Sequence, residues 1–258
     1  MNFIDTHTHL YLDQFKDDID QVIQNALDSG VSKMLLPNID SNTIASMNAL
    51  NEKFPGICYP MIGLHPSDVK ENYQDELAIV KKESASNKYI AIGEIGIDLY
   101  WDKTFLTQQQ DAFAIQLELA KSLGIPVVIH ARDSFNEIFE VMDQHNDDSL
   151  TGVLHCFTGN LEQANRVINY GGFKLGIGGV ATFKNGGLNK VIPHVDLAHL
   201  ILETDSPFLA PSPYRGKRNE SQYIPIIADK IAQMKGIKIE EVAEVTTENA
   251  LGLFEKAK

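Results

Sequence analysis

The chain has 258 residues, of which 43% are hydrophobic, and its formal net charge is -13. This length suits one α/β barrel or two smaller domains, and because no Gly/Ser linker, charge block or low-complexity tract divides the chain, we expect one domain over residues 1–258. The acidic balance excludes a protein that coats nucleic acid or an anionic membrane through bulk positive charge, although it permits a local basic groove or a metal site that handles phosphate.

The start of the chain and its two cysteines indicate the compartment. No basic segment followed by an apolar stretch opens the chain, and no run approaches the roughly 18 apolar residues of a membrane span. Cys58 and Cys156 are far apart and lack metal-ligand spacing, which favours packing thiols. We therefore expect a cytoplasmic protein that does not use a membrane, and we infer no obligate protein partner.

Short apolar runs alternate with segments of helical period along the whole chain. The apolar runs predict eight strands, at residues 3–7, 33–37, 57–63, 89–94, 126–130, 152–155, 172–176 and 200–205. The helical periods predict helices near residues 15–27, 41–54, 75–84, 107–123, 134–145, 161–168, 188–192, 223–234 and 239–254. Strands that are almost continuously apolar indicate a sheet buried on both faces. This alternation is typical of a (β/α)8 TIM barrel and also of a doubly wound open sheet.

Polar side chains at the ends of the predicted strands favour the barrel. His7 and His9 are two positions apart at the end of the first strand, so their side chains point the same way. Catalytic groups of TIM barrels come from the carboxyl ends of several strands. The residues that fit this placement are His7, His9, Glu94, His130, His155 and Asp205.

The alternation of side chains along the strands agrees with this placement. Val128 shares a strand face with His130, and Val153 shares one with His155. Ile90 and Ile92 are expected to share a face with Glu94 in the same way, so that the polar groups continue rows that face the barrel interior.

The six polar residues together predict a metal site. Any one of them alone is as well explained as a hydrogen-bonded core residue or a helix cap. All six, however, lie at strand ends and are expected to face the barrel interior, where burying so many ionisable groups without a metal would be costly. Six donors exceed the needs of one tetrahedral ion, which suggests two divalent ions that share a carboxylate and activate a water. We assign His7, His9 and Asp205 to one ion, His130 and His155 to the other, and Glu94 to both. Imidazole favours Zn, Mn, Ni or Fe over Mg, and the choice among Zn, Mn, Ni and Mg stays open.

The same residues lie in sequence blocks that resemble the signature blocks of TatD-family metal-dependent deoxyribonucleases. The blocks are residues 4–10, 62–66, 93–98, 126–133, 155–159 and 202–207. The resemblance implies a metal-dependent hydrolase on a TIM barrel, with DNA as the usual substrate and exonuclease activity from the 3′ end. It also implies that the six donors named above are the metal ligands.

Further candidates lie near the same predicted mouth. His65 follows the third strand and is a candidate to contact a substrate phosphate or to move a proton. Glu203 is two residues before Asp205, where it would orient a ligand, act as general base or form a structural ion pair. With Glu94 and Asp205 these two residues make up our predicted catalytic set.

Basic and polar residues near the mouth are the candidates for substrate binding. Arg132 follows His130 by two positions and faces the same way. The run Tyr214–Asn219 is the clearest basic cluster of the chain, and it follows strand eight, near where barrels commonly bind phosphate. From this run we expect Arg215, Lys217 and Asn219 to contact the DNA backbone.

Two other functions remain open at this point. An amidohydrolase or acyl-ester hydrolase, such as an aminoacyl-tRNA deacylase, would use similar metals on the same fold. A metal-dependent binding protein without turnover is the other alternative. The basic loop after strand eight favours a phosphate substrate, contacted mainly through its backbone.

Overall fold

The computed structural model describes all residues from Met1 to Lys258 and contains eight parallel strands and eight α-helices. The strands are β1 (Phe3–Asp5), β2 (Val31–Leu36), β3 (Cys58–Pro60), β4 (Ile92–Asp98), β5 (Val127–Arg132), β6 (Gly152–Leu154), β7 (Phe173–Ile177) and β8 (Leu200–Leu202). The helices are α1 (Ile19–Asp28), α2 (Ile44–Lys53), α3 (Tyr73–Ser84), α4 (Leu106–Leu123), α5 (Phe135–His145), α6 (Leu161–Asn169), α7 (Ile224–Lys235) and α8 (Ile239–Leu253). No helix combines the length and the apolar character that crossing a membrane requires.

The strands follow one another in spatial order and close into a barrel. β1 to β3 form one ladder and β4 to β8 another, and a parallel bridge between Ile62 and Ile92 joins the two. On the other side, the Thr6 amide donates to the Leu202 carbonyl at 3.0 Å, which pairs β1 with β8. The predicted TIM barrel is therefore confirmed.

Two apolar cores hold the barrel. The larger core lies between the strands and the surrounding helices and contains 57 buried residues. The smaller core fills the barrel interior with residues that precede the polar groups in their strands, such as Ile4, Val128 and Val153. Phe254, at the end of α8, packs into the same cluster and is fully buried. The interior below the polar groups is thus filled by side chains, which leaves the carboxyl ends of the strands as the accessible face.

The predicted alternation of inward-facing side chains is confirmed for β5 and β6, where Val128 and Val153 face the barrel interior, but not for β4. Ile90 belongs to the interior core, whereas Ile92 packs in the outer core. The register of β4 against β5 shifts between Ile92 and Ile95, and this irregularity breaks the simple alternation. The strand also runs to Asp98 rather than ending at Glu94, so Glu94 lies within the strand.

The short helix predicted at residues 188–192 is not an α-helix in the structure. The segment forms two separate three-residue 3₁₀ turns, Leu188–Lys190 and Ile192–His194. Gly187 precedes the first turn with a φ of 77°, and Pro193 within the second cannot donate the backbone hydrogen bond that an α-helix needs. The connection after β7 therefore has no α-helix.

Candidate active site

Four donor atoms surround one point at the mouth of the barrel. They are His7 Nε2, His9 Nε2, Glu94 Oε2 and Asp205 Oδ1, and five separations among them lie between 3.1 and 3.7 Å. Metal bonds of about 2.0–2.2 Å in a tetrahedral shell place neighbouring ligand atoms about 3.3–3.6 Å apart. The spacing of these four atoms therefore fits a tetrahedral divalent ion.

A second set of donors gathers at the other oxygen of Glu94. Glu94 Oε1 lies 2.8 Å from His130 Nδ1 and 2.8 Å from His155 Nε2, and the two nitrogens are 3.2 Å apart. Because Oε2 of the same carboxylate belongs to the first set, Glu94 faces both sets at once. This carboxylate is 2% exposed.

A hydrogen bond fixes the tautomer of His9. Tyr11 donates its only hydroxyl proton to the Pro37 carbonyl at 2.6 Å, since a carbonyl can only accept. The Tyr11 oxygen must then accept from His9 Nδ1, which is 2.8 Å away. The proton on Nδ1 leaves the lone pair of His9 on Nε2, the atom that faces Glu94 and Asp205.

Asp98 fixes the tautomer of His130 in the same manner. Its Oδ2 accepts from His130 Nε2 at 3.0 Å, while its Oδ1 accepts from the Tyr100 amide at 2.9 Å. The lone pair of His130 is therefore on Nδ1, towards Glu94. Neither Asp98 nor Tyr11 is among the site residues predicted from the sequence. A signal for Asp98 was present, since it lies four residues after Glu94 in one strand and shares its face.

His65 is positioned as a donor rather than a ligand. Its Nδ1 accepts from the Ser67 amide at 3.1 Å, and a backbone N–H can only donate, so the neutral ring carries its proton on Nε2. That Nε2 lies 3.2 Å from Glu94 Oε1. His65 lines the cavity at the mouth, where this N–H is available to a substrate oxygen.

Glu203 lies beneath the site and is fully buried. Its Oε1 accepts from the Cys156 amide and lies 3.6 Å from His155 Nδ1. A Cβ at Gly176 would fall 2.1 Å from Glu203 Oε2, so the carboxylate occupies space that only glycine leaves free. This placement favours an orienting contact with His155 over a role as general base.

The electrostatics of the site keep its central carboxylate ionised. Burial opposes ionisation of Glu94, but His155, His65 and His7 more than offset it and hold its pKa well below the usual range. Burial also opposes protonation of His155, yet Glu94 and Glu203 raise its pKa well above the usual value. These opposing effects describe an anionic centre in a buried pocket that attracts positive charge.

The donor set fits divalent metal ions. Four imidazole nitrogens, from His7, His9, His130 and His155, lie 2.8–3.5 Å from an oxygen of Glu94, so the donor atoms converge on this carboxylate. Two imidazoles and two carboxylates in the first set, and two imidazoles and a carboxylate in the second, are the ligand types that Zn, Mn, Ni and Fe prefer.

Asp5 joins the barrel strands beneath the site. This buried carboxylate accepts from the Thr204 hydroxyl at 2.6 Å, the Thr204 amide at 2.9 Å, the Ser221 hydroxyl at 2.6 Å and the His7 amide at 3.3 Å. Burial raises its pKa to about 7 although all four hydrogen bonds favour the charged form. Asp5 thereby ties β1 to the segments after β8.

Replacing Asp5 by alanine should destabilise the fold. The buried hydroxyls of Thr204 and Ser221 would lose their acceptor, so the free energy of unfolding should fall by roughly 2–4 kcal/mol. Asp5→Asn keeps one acceptor oxygen and should lose less. Urea denaturation measures both, and an Asp5→Ala protein as stable as the parent would contradict this role.

The carboxyl ends of the strands enclose a cavity of about 650 Å³. Its lining includes His9, His65, Glu94, His130, Arg132, His155 and Asp205. Arg132 is the only Lys or Arg among its lining residues, and its guanidinium stacks 3.8 Å from the centre of the Tyr100 ring. Asp205 enters the cavity from a backbone with a φ of 58°, in the left-handed region that Asp tolerates better than most residues.

The candidates from the basic run after β8 lie apart from the donors. Arg215 and Lys217 are exposed and do not line the cavity, and Arg215 stacks on Phe183 at 4.1 Å. Asn219 is fully buried, and its amide donates to the Thr204 and Phe208 carbonyls at 2.7 and 2.6 Å. A buried side chain cannot contact a substrate, so the predicted substrate contact of Asn219 disagrees with the structure. Its two hydrogen bonds instead stabilise the loop after β8.

Comparisons with known proteins agree with this geometry. A family model described as TatD related DNase matches residues 4–255. A protein of Bacillus subtilis called uncharacterized metal-dependent hydrolase YabD is 38% identical, over 97% of this chain and 98% of its own length. A protein of Erwinia billingiae called 3′-5′ ssDNA/RNA exonuclease TatD is 31% identical, over 97% of this chain and 98% of its own. The crystal structure of YjjV, a TatD homologue from Escherichia coli, superposes with a TM-score of 0.92 at 30% identity, covering 98% of each chain.

Proposed function

The chain belongs to the TatD related DNase family of metal-dependent hydrolases, and from that premise we propose that it cleaves phosphodiester bonds of DNA, from the 3′ end, with two divalent metal ions. The relative from Erwinia billingiae, which carries an exonuclease name, supports the direction of cleavage. We also propose that His7, His9 and Asp205 hold one ion, that His130 and His155 hold the other, and that Glu94 bridges them.

The observation that carries this proposal is the position of Glu94. Its two oxygens face two separate groups of imidazole nitrogens at 2.8–3.5 Å, which places one carboxylate where it could hold an ion through each oxygen. Two bound ions would supply an activated water and positive charge at the phosphoryl oxygens.

The residues of the chain act around that centre. Tyr11 and Asp98 hold the rings of His9 and His130 with their lone pairs on the atoms that face Glu94. Asp205 lines the cavity and is placed to accept a proton from the attacking water. His65 presents its Nε2–H to a phosphoryl oxygen.

The cations at the mouth bind the backbone of the substrate. The Arg132 guanidinium lies in the cavity lining, where it offsets the charge that builds on the phosphoryl group. Arg215 and Lys217 lie farther out and would contact phosphates of the same strand beyond the cavity, with smaller effects. The low isoelectric point is compatible with this, because bound ions, Arg132 and the basic loop after β8 would supply positive charge locally.

Arg132→Ala should weaken binding of DNA more than it slows the chemical step. We expect KM for a single-stranded oligonucleotide to rise about 10-fold. The plot of log affinity against log salt should become less steep by about one unit, which corresponds to the loss of one phosphate contact. Arg166→Ala is a matched control, since Arg166 also stacks on an aromatic ring, Phe139 at 4.3 Å, but lies outside the cavity. Equal effects of the two substitutions would remove Arg132 from the substrate site.

The substrate class is tested directly by hydrolysis. End-labelled single- and double-stranded DNA would be incubated with the chelator-treated protein and each divalent metal in turn, beside a panel of amides and acyl esters. We expect stepwise shortening of DNA from the 3′ end. Turnover of an amide or ester with intact DNA would favour the amidohydrolase or deacylase alternative.

A further inference from the structure

The mouth of the cavity carries half of the large hydrophobic side chains that the protein exposes. Of eight such residues, Tyr100, Trp101, Phe208 and Leu209 lie at this rim, and Trp101 is 73% exposed. Trp101, Phe208 and Leu209 line the cavity itself. Exposing an aromatic ring forgoes about 1.5–3 kcal/mol of burial, and such patches on a soluble protein commonly mark binding surfaces.

The backbone on the Trp101 side is fixed to the catalytic centre. Asp98, which holds His130, also accepts the Tyr100 amide, and Tyr100 contacts Trp101 edge to face with ring centres 4.8 Å apart. The Arg132 guanidinium stacks on Tyr100 and lies 5.4 Å from the Trp101 ring. An exposed aromatic face and a cation therefore stand side by side at one edge of the cavity.

The backbone on the Phe208 side is held just as firmly. The Phe208 amide donates to the Asp205 carbonyl at 2.8 Å, and the Phe208 carbonyl accepts from Asn219. Leu209 has a φ of 53°, which is rare for a bulky residue, and a Cβ at Gly179 would strike its carbonyl at 2.1 Å. Strained, well-anchored backbone that presents apolar side chains to solvent is typical of a binding site.

The two aromatic residues flank the metal-binding donors from opposite sides. Trp101 follows β4 and Phe208 follows β8, and these strands are four positions apart in the eight-stranded barrel. The Phe208 ring lies 6.2 Å from the ring of His9, centre to centre. A nucleic-acid strand with one phosphodiester at the donors would therefore bring the nucleotides on either side of it to Trp101 and to Phe208.

We infer that Trp101 and Phe208 are stacking platforms for the unpaired bases on either side of the scissile phosphate of a single-stranded nucleic acid, an inference that rests on the proposed function. Flat aromatic faces bind bases of any sequence, and the adjacent guanidinium binds the phosphate between them. Bases within a duplex are already stacked on their neighbours, so the platforms select single strands or frayed ends.

The protein offers a direct probe, because Trp101 is its only tryptophan. Stopped-flow mixing of the metal-loaded protein with a single-stranded oligonucleotide should quench tryptophan fluorescence before any cleavage. A blunt duplex of the same sequence, and an oligonucleotide with abasic residues at its 3′ end, should quench little. Quenching that is equal for all three ligands would overturn the inference.

Kinetics separate the platforms from the catalytic centre. Trp101→Ala and Phe208→Ala should each lower kcat/KM for the normal single strand by about 10-fold. For each variant, kcat/KM should be the same for the normal strand and for the strand with abasic residues at its 3′ end. Ile115→Ala is the control, because Ile115 is 43% exposed but lies outside the cavity. Hydrolysis of single strands by Trp101→Ala and Phe208→Ala at the rate of the parent would overturn the platforms and leave the nuclease function standing.

The quenching and hydrolysis results together distinguish the stacking platforms from the nuclease function. Base-dependent quenching without hydrolysis of any DNA would support the platforms and reject the proposed nuclease function, whereas the absence of both signals would reject both. If the rim instead docks a second copy of the chain, sedimentation should show a dimer that Trp101→Ala dissociates, and the fluorescence should not respond to oligonucleotides. That result would overturn the inference.

Discussion

Glu94→Ala should abolish hydrolysis, with a fall in kcat/KM of about 10³-fold or more. The substitution removes a donor from both groups of ligands at once, since Oε2 faces His7 and His9 while Oε1 faces His130 and His155. Bound metal should fall with activity when elemental analysis and oligonucleotide hydrolysis are measured on the same preparations.

A second substitution at Glu94 separates the bridging role from folding. Glu94→Gln keeps the volume and one oxygen of the side chain, so one group of donors stays complete and the metal content should fall from two equivalents to one. Glu52→Ala, at an exposed carboxylate far from the donors, should keep both metals and full activity. A fully metallated and active Glu94→Ala protein would disprove the assignment.

Asp98→Asn should weaken metal binding through His130 by about 10- to 100-fold and reduce activity in proportion. Asparagine has only one acceptor oxygen. If that oxygen keeps the bond to the Tyr100 amide, its NH₂ group faces His130 Nε2, which must then accept. The ring would change tautomer, and Nδ1 would carry a proton where the metal needs a lone pair.

Metal titration distinguishes this effect from a loss of structure. The affinity of the second metal equivalent should fall in Asp98→Asn while the first equivalent and the melting temperature stay near those of the parent. Asp102→Asn is a matched control, because Asp102 lies on the same loop but only caps the Thr104 amide at 2.8 Å. Equal affinity of Asp98→Asn and the parent for both metals would contradict the role of Asp98.

The sequence predicted the barrel because its signals are local and repeated. Each apolar run forms a strand of the same sheet, and the barrel brings their polar ends together, so His7, His130 and His155 were found without knowledge of any contact. The error in β4 came from a register shift between Ile92 and Ile95, which depends on the pairing of two strands and leaves no periodic mark.

The residues that support the site were less predictable, because their roles depend on distant partners. Asn219 was expected to bind substrate on account of its basic neighbours, yet it turns inward to the carbonyls of Thr204 and Phe208. Tyr11 orients His9 only because the Pro37 carbonyl takes its hydroxyl proton. A lone sequence does not show such pairings.

We propose that two divalent ions, both held by Glu94, make this chain a nuclease. The most direct measurement is the rate of single-stranded DNA hydrolysis by chelator-treated protein as a divalent metal is added back. We expect no cleavage without metal, and recovery of the cleavage rate as the second metal equivalent binds to each chain. Cleavage at the full rate by metal-free protein, or full recovery with one equivalent, would contradict it.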